Sequence, residues 1–126
     1  MIEVVMCIVC RDKQILLVHR AKKEGSLMWA FPGGTVEDGE TVYQTAIREL
    51  KEETNLDSEV VKLIGDRIHP YTKKHMAYIA LTPTSFELKI GDDDLDDLKW
   101  VNISELENYF GSPTYEKVQE YLNSIS

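Results

Sequence analysis

The sequence predicts a domain of the α/β or α+β class built around a mixed β-sheet. Runs rich in β-branched residues precede, separate and follow the helical segments, which is typical of a sheet covered by helices. No repeat, low-complexity tract or Pro/Gly/Ser-rich linker divides the 126 residues, so a single domain over 1–126 is predicted. The hydrophobic content of 43% is sufficient for a core of ordinary size.

The N-terminal part is predicted to begin with a β-hairpin. Residues 2–10 and 15–19 are β-rich runs, and the polar stretch 11–14 joins them. A loop over 20–27 then leads to the segment WAFPGG at 29–34.

A helix over residues 41–54 is predicted from features at both of its ends. Thr41 and Gln44 have the spacing of a capping box, which begins a helix at residue 42. Asn55 stands where the chain must turn left-handed, a conformation that Asn tolerates better than most residues. The predicted apolar stripe consists of Val42, Ala46, Ile47 and Leu50.

Further strands and helices complete the predicted order. The strands are expected near 58–64, 76–81 and 98–102. Helices are predicted over 104–110 and 113–124, with Ser104 and Ser112 as N-caps and Pro113 as the first residue of the second helix.

Composition excludes several classes of function. With a net charge of −8 and a pI of about 4.8, the surface repels polyanions, which argues against stable nucleic-acid binding and against binding to membrane surfaces. No apolar run approaches the ~20 residues of a membrane span. The N-terminus has the acidic Glu3 where a signal peptide would have basic residues. We therefore expect a soluble cytoplasmic protein, which could still bind a small phosphorylated ligand through metal ions.

Cys7 and Cys10 form a C-x-x-C pattern, which suggests metal or redox chemistry as one interpretation. In an extended strand, residues three apart point to opposite faces, so the two thiols would not converge. We therefore predict two reduced strand cysteines that behave as small hydrophobic residues.

Three glutamates of the predicted helix share one sector of its surface. At about 100° per residue, Glu49, Glu52 and Glu53 fall beside Val42 and Ala46 rather than on the polar face. The Glu49–Glu53 pair costs roughly 0.2–0.5 kcal/mol even on an open helix, and more when desolvated. A divalent cation would offset that repulsion, and a structural explanation stays open beside it.

The segment that contains these acids resembles the Nudix box of the Nudix hydrolases. The resemblance is carried by Gly34, Glu40 and the run RELKEETNL over 48–56. Eight of nine defined positions match, and the exception is Asn55, where the family usually has Gly. WAFPGG and Trp100 also resemble the family. The resemblance implies a Nudix fold: an α/β/α sandwich with a mixed β-sheet and the Nudix loop-helix-loop.

The resemblance also implies an activity, which is hydrolysis of a nucleoside diphosphate linked to another group. Mg²⁺, with Mn²⁺ as a substitute, would neutralise the diphosphate and activate water. The implied metal ligands are the Gly33 carbonyl and the acids Glu49, Glu52 and Glu53. Either Glu52 or Glu49 would accept the proton of the water, and a coupled acid cluster does not decide between them.

Two further residues of the motif would support this site. Arg48 would orient glutamates, either Glu52 on the next turn or Glu40 across the loop. Glu40 would shape the loop, with an ordinary surface acid as the alternative, and Asn55 would end the helix in place of Gly.

A second acidic stretch has five Asp in the six positions 92–97. It does not match an EF-hand, because the required Gly is missing. Most of these residues are expected to be solvated. Asp94 differs, because similar proteins often place an additional metal-site acid six residues before the position of Trp100.

Substrate contacts are predicted at four positions. Arg20 stands where relatives often place an arginine on phosphate, and Gly34 lies in the loop before the helix. Phe31 and Tyr78 could stack on a base, although Phe31 is at least as well explained as core.

The substrate itself is the least determined feature. A short single domain most resembles the MutT-like members, which cut nucleoside triphosphates, including oxidised ones such as 8-oxo-dGTP, to monophosphate and pyrophosphate. Pro70 and Tyr71 give conflicting subclass cues, for ADP-ribose and for dinucleoside polyphosphates. A non-catalytic nucleotide-binding module is the alternative of another class, but such modules usually lose acids of the box. Many relatives are dimers, so a homodimer stays open.

Overall fold

The computed structural model describes residues 1–20 and 29–125, so the predicted loop over 20–27 lies almost wholly outside the described residues. The strands are β1 Val4–Arg11, β2 Gln14–Arg20, β3 Trp29–Ala30, β4 Gly33–Thr35, β5 Ser58–Ile68, β6 His75–Pro83 and β7 Leu95–Asn102. The helices are α1 Val42–Thr54, α2 Leu106–Phe110 and α3 Glu116–Ile125, with one turn of 3₁₀ helix at Ile103–Glu105.

The sheet is mixed and is centred on β1. β1 pairs in parallel with β6 and antiparallel with β2 and β4, and the main strand order is β3-β2-β1-β6-β5. β7 runs antiparallel along β2. Because β4 pairs with the start of β1, the segment before α1 is held at one edge of the sheet, next to the helix that follows it.

Alternate residues of β1 face two different layers of helices. Val5, Cys7 and Val9 pack under α1, against Ala46 and Leu50. On the opposite face, Ile8 belongs to a cluster completed by the C-terminal helices through Leu106, Val118 and Leu122. The period of two along β1 therefore produces the predicted α/β/α sandwich.

The predicted hairpin is present between β1 and β2. Its two-residue turn consists of Asp12 and Lys13, whose φ angles are 49° and 67°. Positive φ at both central residues matches a type I′ turn, whose twist suits the strands on either side.

Helix α1 has the predicted ends and a partly different buried face. Thr41 and Gln44 form both hydrogen bonds of the capping box, and Asn55 is left-handed with φ 72°. Ala46 and Leu50 are buried, but Ile47 is 39% exposed, so its assignment to the apolar stripe was wrong. The buried face of the helix is rotated by about one residue from the predicted stripe, and it includes Thr45, Glu53 and Thr54.

The predicted N-caps of the C-terminal helices were also wrong. Ser104 lies inside the 3₁₀ turn, which begins early because the Ile103 amide donates to the Lys13 carbonyl at 3.0 Å. The last helix starts at Glu116, so Pro113 is not its first residue and Ser112 is not its N-cap. The later start of the helix is explained by Tyr115. Its ring packs on Tyr78 of β6, and its hydroxyl donates to the Asp66 carbonyl at 3.1 Å.

The two cysteines are free and lie on opposite faces, as predicted. Cys7 is in the cluster under α1, and Cys10 packs against the other cluster. Burial raises the pKa of Cys10 to about 12 and that of the Cys7 thiol further still. Both thiols are therefore protonated and unreactive at neutral pH.

Within the described part of the chain, none of the helices is both long enough and apolar enough to cross a membrane.

Candidate functional site

The most deeply placed acid of α1 is Glu53, of which only 4% is exposed. Its Oε1 accepts a hydrogen bond from the Gly33 amide at 3.1 Å, and its Oε2 lies 4.0 Å from Arg20. Burial raises the pKa of Glu53 to about 7, against the lowering effects of Gly33 and Arg20. A carboxylate held in this way would gain from a cation placed beside it.

Glu49 lies one turn earlier, against the same loop. Its carboxylate fits against the Cα of Gly34 so closely that a Cβ at Gly34 would overlap it. Burial raises the pKa of Glu49, and the hydrogen bond from Arg48 at 3.1 Å opposes that rise. The Gly33–Gly34 pair thus brings two carboxylates of α1 against the backbone of β4.

Arg48 is the main cation of this acidic surface. Its guanidinium donates to Glu40 at 2.7 and 3.0 Å, and to Glu49 and Glu52 at 3.1 Å each. These hydrogen bonds, chiefly that to Glu40, raise the pKa of Arg48. Both predicted alternatives for Arg48 are therefore found together, since it contacts Glu52 on the next turn and Glu40 across the loop.

Glu40 is joined to the loop as well as to Arg48. It accepts from the Glu37 amide at 3.1 Å and from the Thr45 hydroxyl at 2.8 Å. The hydrogen bonds from Arg48 and then from Glu37 lower the pKa of Glu40 to about 2. These contacts match a loop-shaping acid rather than an ordinary surface one.

The acidic stretch 92–97, which runs into the start of β7, approaches α1 at its first residue, Asp92. The Gly91 amide donates to the Glu53 carbonyl at 3.1 Å, and the charge of Asp92 contributes to the raised pKa of Glu53. Asp94 is exposed, and its amide donates to the Asp92 carboxylate at 2.9 Å. Across 1–20 and 29–125, no hydrogen bond or ion pair involves the Asp94 carboxylate. Sequence reasoning grouped Asp92 with the solvated acids, because the docking of Gly91 on α1 has no local sequence pattern.

The predicted base-stacking residues lie on the other side of the sheet. Phe31 and Tyr78 are 5% and 3% exposed, and both line a cavity of about 170 Å³. Arg67 also lines it and was not singled out from the sequence. Its partners Tyr78 and Tyr115 are distant in sequence, so no local pattern marks it.

The oxygen ligands in this region suit a hard divalent cation. Glu49, Glu52 and Glu53 supply carboxylates within five residues, and the backbone of Gly33 adjoins them. As the side chains stand, no group of three or more His, Cys, Asp or Glu in the described ranges is arranged to hold a metal ion. The carboxylates of Glu49 and Glu52 contact Arg48, and that of Glu53 accepts from the Gly33 amide. The donor chemistry therefore fits Mg²⁺, with Arg48 holding carboxylates that the ion would use.

Comparison with known proteins places the chain in a family. The model of the NUDIX domain matches residues 2–122. An ADP-ribose pyrophosphatase of Methanocaldococcus jannaschii is 40% identical over 90 residues, which are 68% of this chain and 53% of that protein. The putative mutator protein MutT4 of Mycobacterium tuberculosis is 34% identical over 107 residues, which cover 76% of this chain and 42% of that protein.

Solved structures share the fold. The crystal structure of a Nudix hydrolase from Nitrosomonas europaea has a TM-score of 0.81 at 21% identity, and the match covers 98% of this chain and 72% of that one. The chain spans between about a quarter and a half of the length of the curated relatives that it matches. With the domain model matched from residue 2 to residue 122, and with its acids gathered on α1 beside Gly33 and Gly34, this chain belongs to the Nudix hydrolase family.

Proposed function

We propose that the protein catalyses Mg²⁺-dependent hydrolysis of a nucleoside diphosphate linked to another group. The observation that carries this proposal is the placement of Glu53, a nearly buried carboxylate beside Glu49 and against the Gly33 amide. Such a like-charged pair is costly without a cation, and a cation there would in turn bind a diphosphate.

The leading substrate is a nucleoside triphosphate, ordinary or oxidised, which would be cut to monophosphate and pyrophosphate. The name of the MutT4 relative supports a MutT-like activity. The retention of every acid of the motif supports an enzyme rather than a nucleotide-binding module, since a module has no need of a repelling carboxylate cluster.

The residues of the site would bind either the metal ion or the phosphates. Bound Mg²⁺ would supply charge neutralisation on the diphosphate and a more acidic water. Glu49, Glu52 and Glu53 would hold the ion, together with the Gly33 carbonyl, and Asp94 is retained as a proposed further acid. Arg20, which lies 4.0 Å from Glu53, would contact a phosphate oxygen of the substrate.

The proton of the attacking water would pass to Glu52 or Glu49 as the new P–O bond forms and the bond to the leaving phosphate breaks. Glu52 has 57% of its side chain exposed and Glu49 15%, and both are oriented by Arg48. Exposure favours Glu52 for exchange of the proton with solvent, and close packing against Gly34 favours Glu49 for metal binding.

ADP-ribose is the second candidate substrate. It is favoured by the M. jannaschii relative, whose name is ADP-ribose pyrophosphatase and whose identity to this chain is 40%. Both substrates contain a diphosphate next to a nucleoside, so the same acids and the same Arg20 would act on either of them.

The test is a hydrolysis panel with Mg²⁺ that contains nucleoside triphosphates, 8-oxo-dGTP, ADP-ribose and a dinucleoside polyphosphate. We expect release of pyrophosphate from at least one triphosphate and its loss in excess EDTA. Full turnover in EDTA would contradict the metal-dependent mechanism. Tight nucleotide binding without any product would instead support a non-catalytic module.

A further inference from the structure

The cavity between the sheet and the C-terminal helices has aromatic walls and a charged residue. Its lining includes Phe31, Tyr78, Phe110 and Arg67, and its volume is about 170 Å³. Flat apolar walls with a few polar groups are typical of a site for a planar ring.

Arg67 is held in a defined position at this cavity. Its Nε–H donates to the Tyr78 hydroxyl at 3.2 Å, and its guanidinium lies 4.7 Å from the ring centre of Tyr115. The Tyr115 hydroxyl donates to the Asp66 carbonyl, which fixes the ring on which Arg67 stacks. Within the described ranges, the two terminal nitrogens of Arg67 make no hydrogen bond and no ion pair. The terminal N–H donors of this lining residue therefore have no partner among the described residues.

A second polar group of the cavity is also restricted to donation. The Nδ1 atom of His69 accepts from the amides of Tyr71 and Thr72 at 3.1 and 3.2 Å. The neutral ring therefore carries its proton on Nε2 and has no other acceptor to offer. His69 and Arg67 thus give the lining an excess of donors.

The cavity lies close to the acidic surface through the backbone of one short segment. Phe31 is two residues before Gly33, whose amide donates to Glu53. Met6, another lining residue, is the β1 partner of Gly33. Two residues of extended chain span about 7 Å, so Phe31 at the cavity and the Gly33 backbone beside Glu53 lie within the length of one nucleoside along this segment.

Phe31 and Tyr78, the predicted base-stacking residues, line this cavity, and we propose that Arg67 selects there the bases that have two adjacent hydrogen-bond acceptors. Guanine presents such a pair through O6 and N7, and cytosine through O2 and N3. Adenine places an amino donor beside N7, and uracil places N3–H between its two carbonyls, so neither matches the paired donors of Arg67. This inference rests on the proposed function in that the substrate is taken to be a nucleotide.

The first experiment measures base preference without catalysis. Guanosine, cytidine, adenosine and uridine are titrated in EDTA and followed by NMR chemical shifts of the cavity residues. We expect guanosine and cytidine to bind about 10-fold or more tighter than adenosine and uridine. Equal affinities, within about threefold, would overturn the inference whether or not the protein hydrolyses nucleotides.

The second experiment changes the selecting residue. Arg67→Gln should reverse the preference towards adenosine, because a Gln amide pairs with the N6 and N7 atoms of adenine. Arg67→Lys keeps a cation near Tyr115 but loses the paired donors, and it should reduce the preference without reversing it. Arg11→Gln is the matched control, since Arg11 also stacks on two rings, Phe86 and Trp100, away from the cavity.

A purely structural role of Arg67 gives a different result. Both variants would then lower Tm and weaken all four nucleosides equally, and the inference would be wrong. The hydrolysis panel reports separately on the proposed function. If the wild type hydrolyses no substrate of the panel but shows a base preference that depends on Arg67, the proposed function is wrong. The inference about Arg67 is then still supported.

Discussion

Arg48 shows how one side chain can make a cluster of acids compatible with folding. Its planar guanidinium has five donors and can meet several carboxylates at once, as a lysine could not. It contacts Glu40 in the loop, then Glu49 and Glu52 on α1. Glu53 lies beyond its reach and instead uses Gly33 and Arg20. The acids therefore form two environments, one neutralised by Arg48 and one only weakly neutralised.

Glu40 should contribute stability that depends on pH. Because hydrogen bonds lower its pKa from 4.5 to about 2 in the folded protein, its contribution is fully present above pH 4.5 and is lost as the pH falls towards 2. Glu40→Gln should therefore lower Tm by a few degrees at pH 7 and by much less near pH 2.5, as measured by thermal unfolding.

The control for Glu40 is Glu37→Gln, because Glu37 is exposed and lies 3.7 Å from Arg48 in a looser ion pair. It should change Tm little at either pH. Equal shifts for the two variants would show that Glu40 acts only through general charge.

Glu53 is expected to matter for turnover more than for stability. Glu53→Gln keeps the shape and can still accept from Gly33, but it removes a buried charge beside Glu49. We expect kcat with Mg²⁺ to fall roughly 10²-fold or more, and Tm in EDTA to stay the same or rise. Steady-state kinetics and thermal unfolding measure the two effects.

A suitable control for Glu53 is Glu59→Gln, which removes the same charge from an exposed position of β5. It should leave both kcat and Tm nearly unchanged. A lower Tm with near-normal kcat in Glu53→Gln would make Glu53 a structural residue.

At the scale of elements, the end of α1 is joined to the segment that precedes β7. Asn55 ends the helix in the left-handed conformation, and its side chain donates to the Glu87 carbonyl at 2.9 Å. The amides of Lys89 and Gly91 donate to the carbonyls of Thr54 and Glu53. The replacement of the usual Gly by Asn thus preserves the turn and adds a contact that Gly could not make.

Local chemistry explains which elements were predictable. The bounds of α1 follow from Thr41, Gln44 and Asn55, all of which act on neighbouring backbone. The start of α3 was missed because Tyr115 packs against Tyr78, 37 positions earlier in the sequence. In the candidate site, the acids of α1 were predictable from one helix face and from the family resemblance. Asp92 and Arg67 were not, because chain segments far apart in sequence position them.

Asp92 and Asp94, two of the three aspartates before β7, can be separated by experiment. The charge of the half-buried Asp92 contributes to the raised pKa of Glu53, whereas Asp94 is the position predicted from the sequence. We expect Asp92→Asn to lower kcat at limiting Mg²⁺ more than Asp94→Asn does, with partial recovery at high Mg²⁺ by mass action. Initial rates over a Mg²⁺ titration measure the difference.

Asp97→Asn provides the control, since Asp97 is exposed on β7 and carries the same charge. It should behave like the wild type. A larger loss of kcat in Asp94→Asn would favour the position predicted from the sequence. Identical rates for all three variants would mean that only α1 and Gly33 supply the metal ligands.

Over the whole molecule, the fold separates two chemistries across one sheet. α1 and its acids cover one face, and the C-terminal helices with the aromatic cavity cover the other. The segment from Phe31 to Gly34 lies between them and contributes to both. A net charge of −8 makes the whole surface repel anions, so a cation at the acids would aid folding and the approach of a phosphorylated ligand alike.

Mg²⁺ should therefore stabilise the protein beyond the general effect of salt. An ion that binds the folded state at ten times its Kd adds about 1.4 kcal/mol, which is roughly 5 °C in Tm for a domain of this size. We expect that rise with MgCl₂ relative to NaCl at equal ionic strength. It should be absent in the double variant Glu49→Gln/Glu53→Gln. The variant Glu59→Gln/Glu120→Gln removes the same two charges from exposed positions and should keep the rise. If MgCl₂ and NaCl raise Tm equally in the wild type, the acids of α1 are screened by salt and hold no ion.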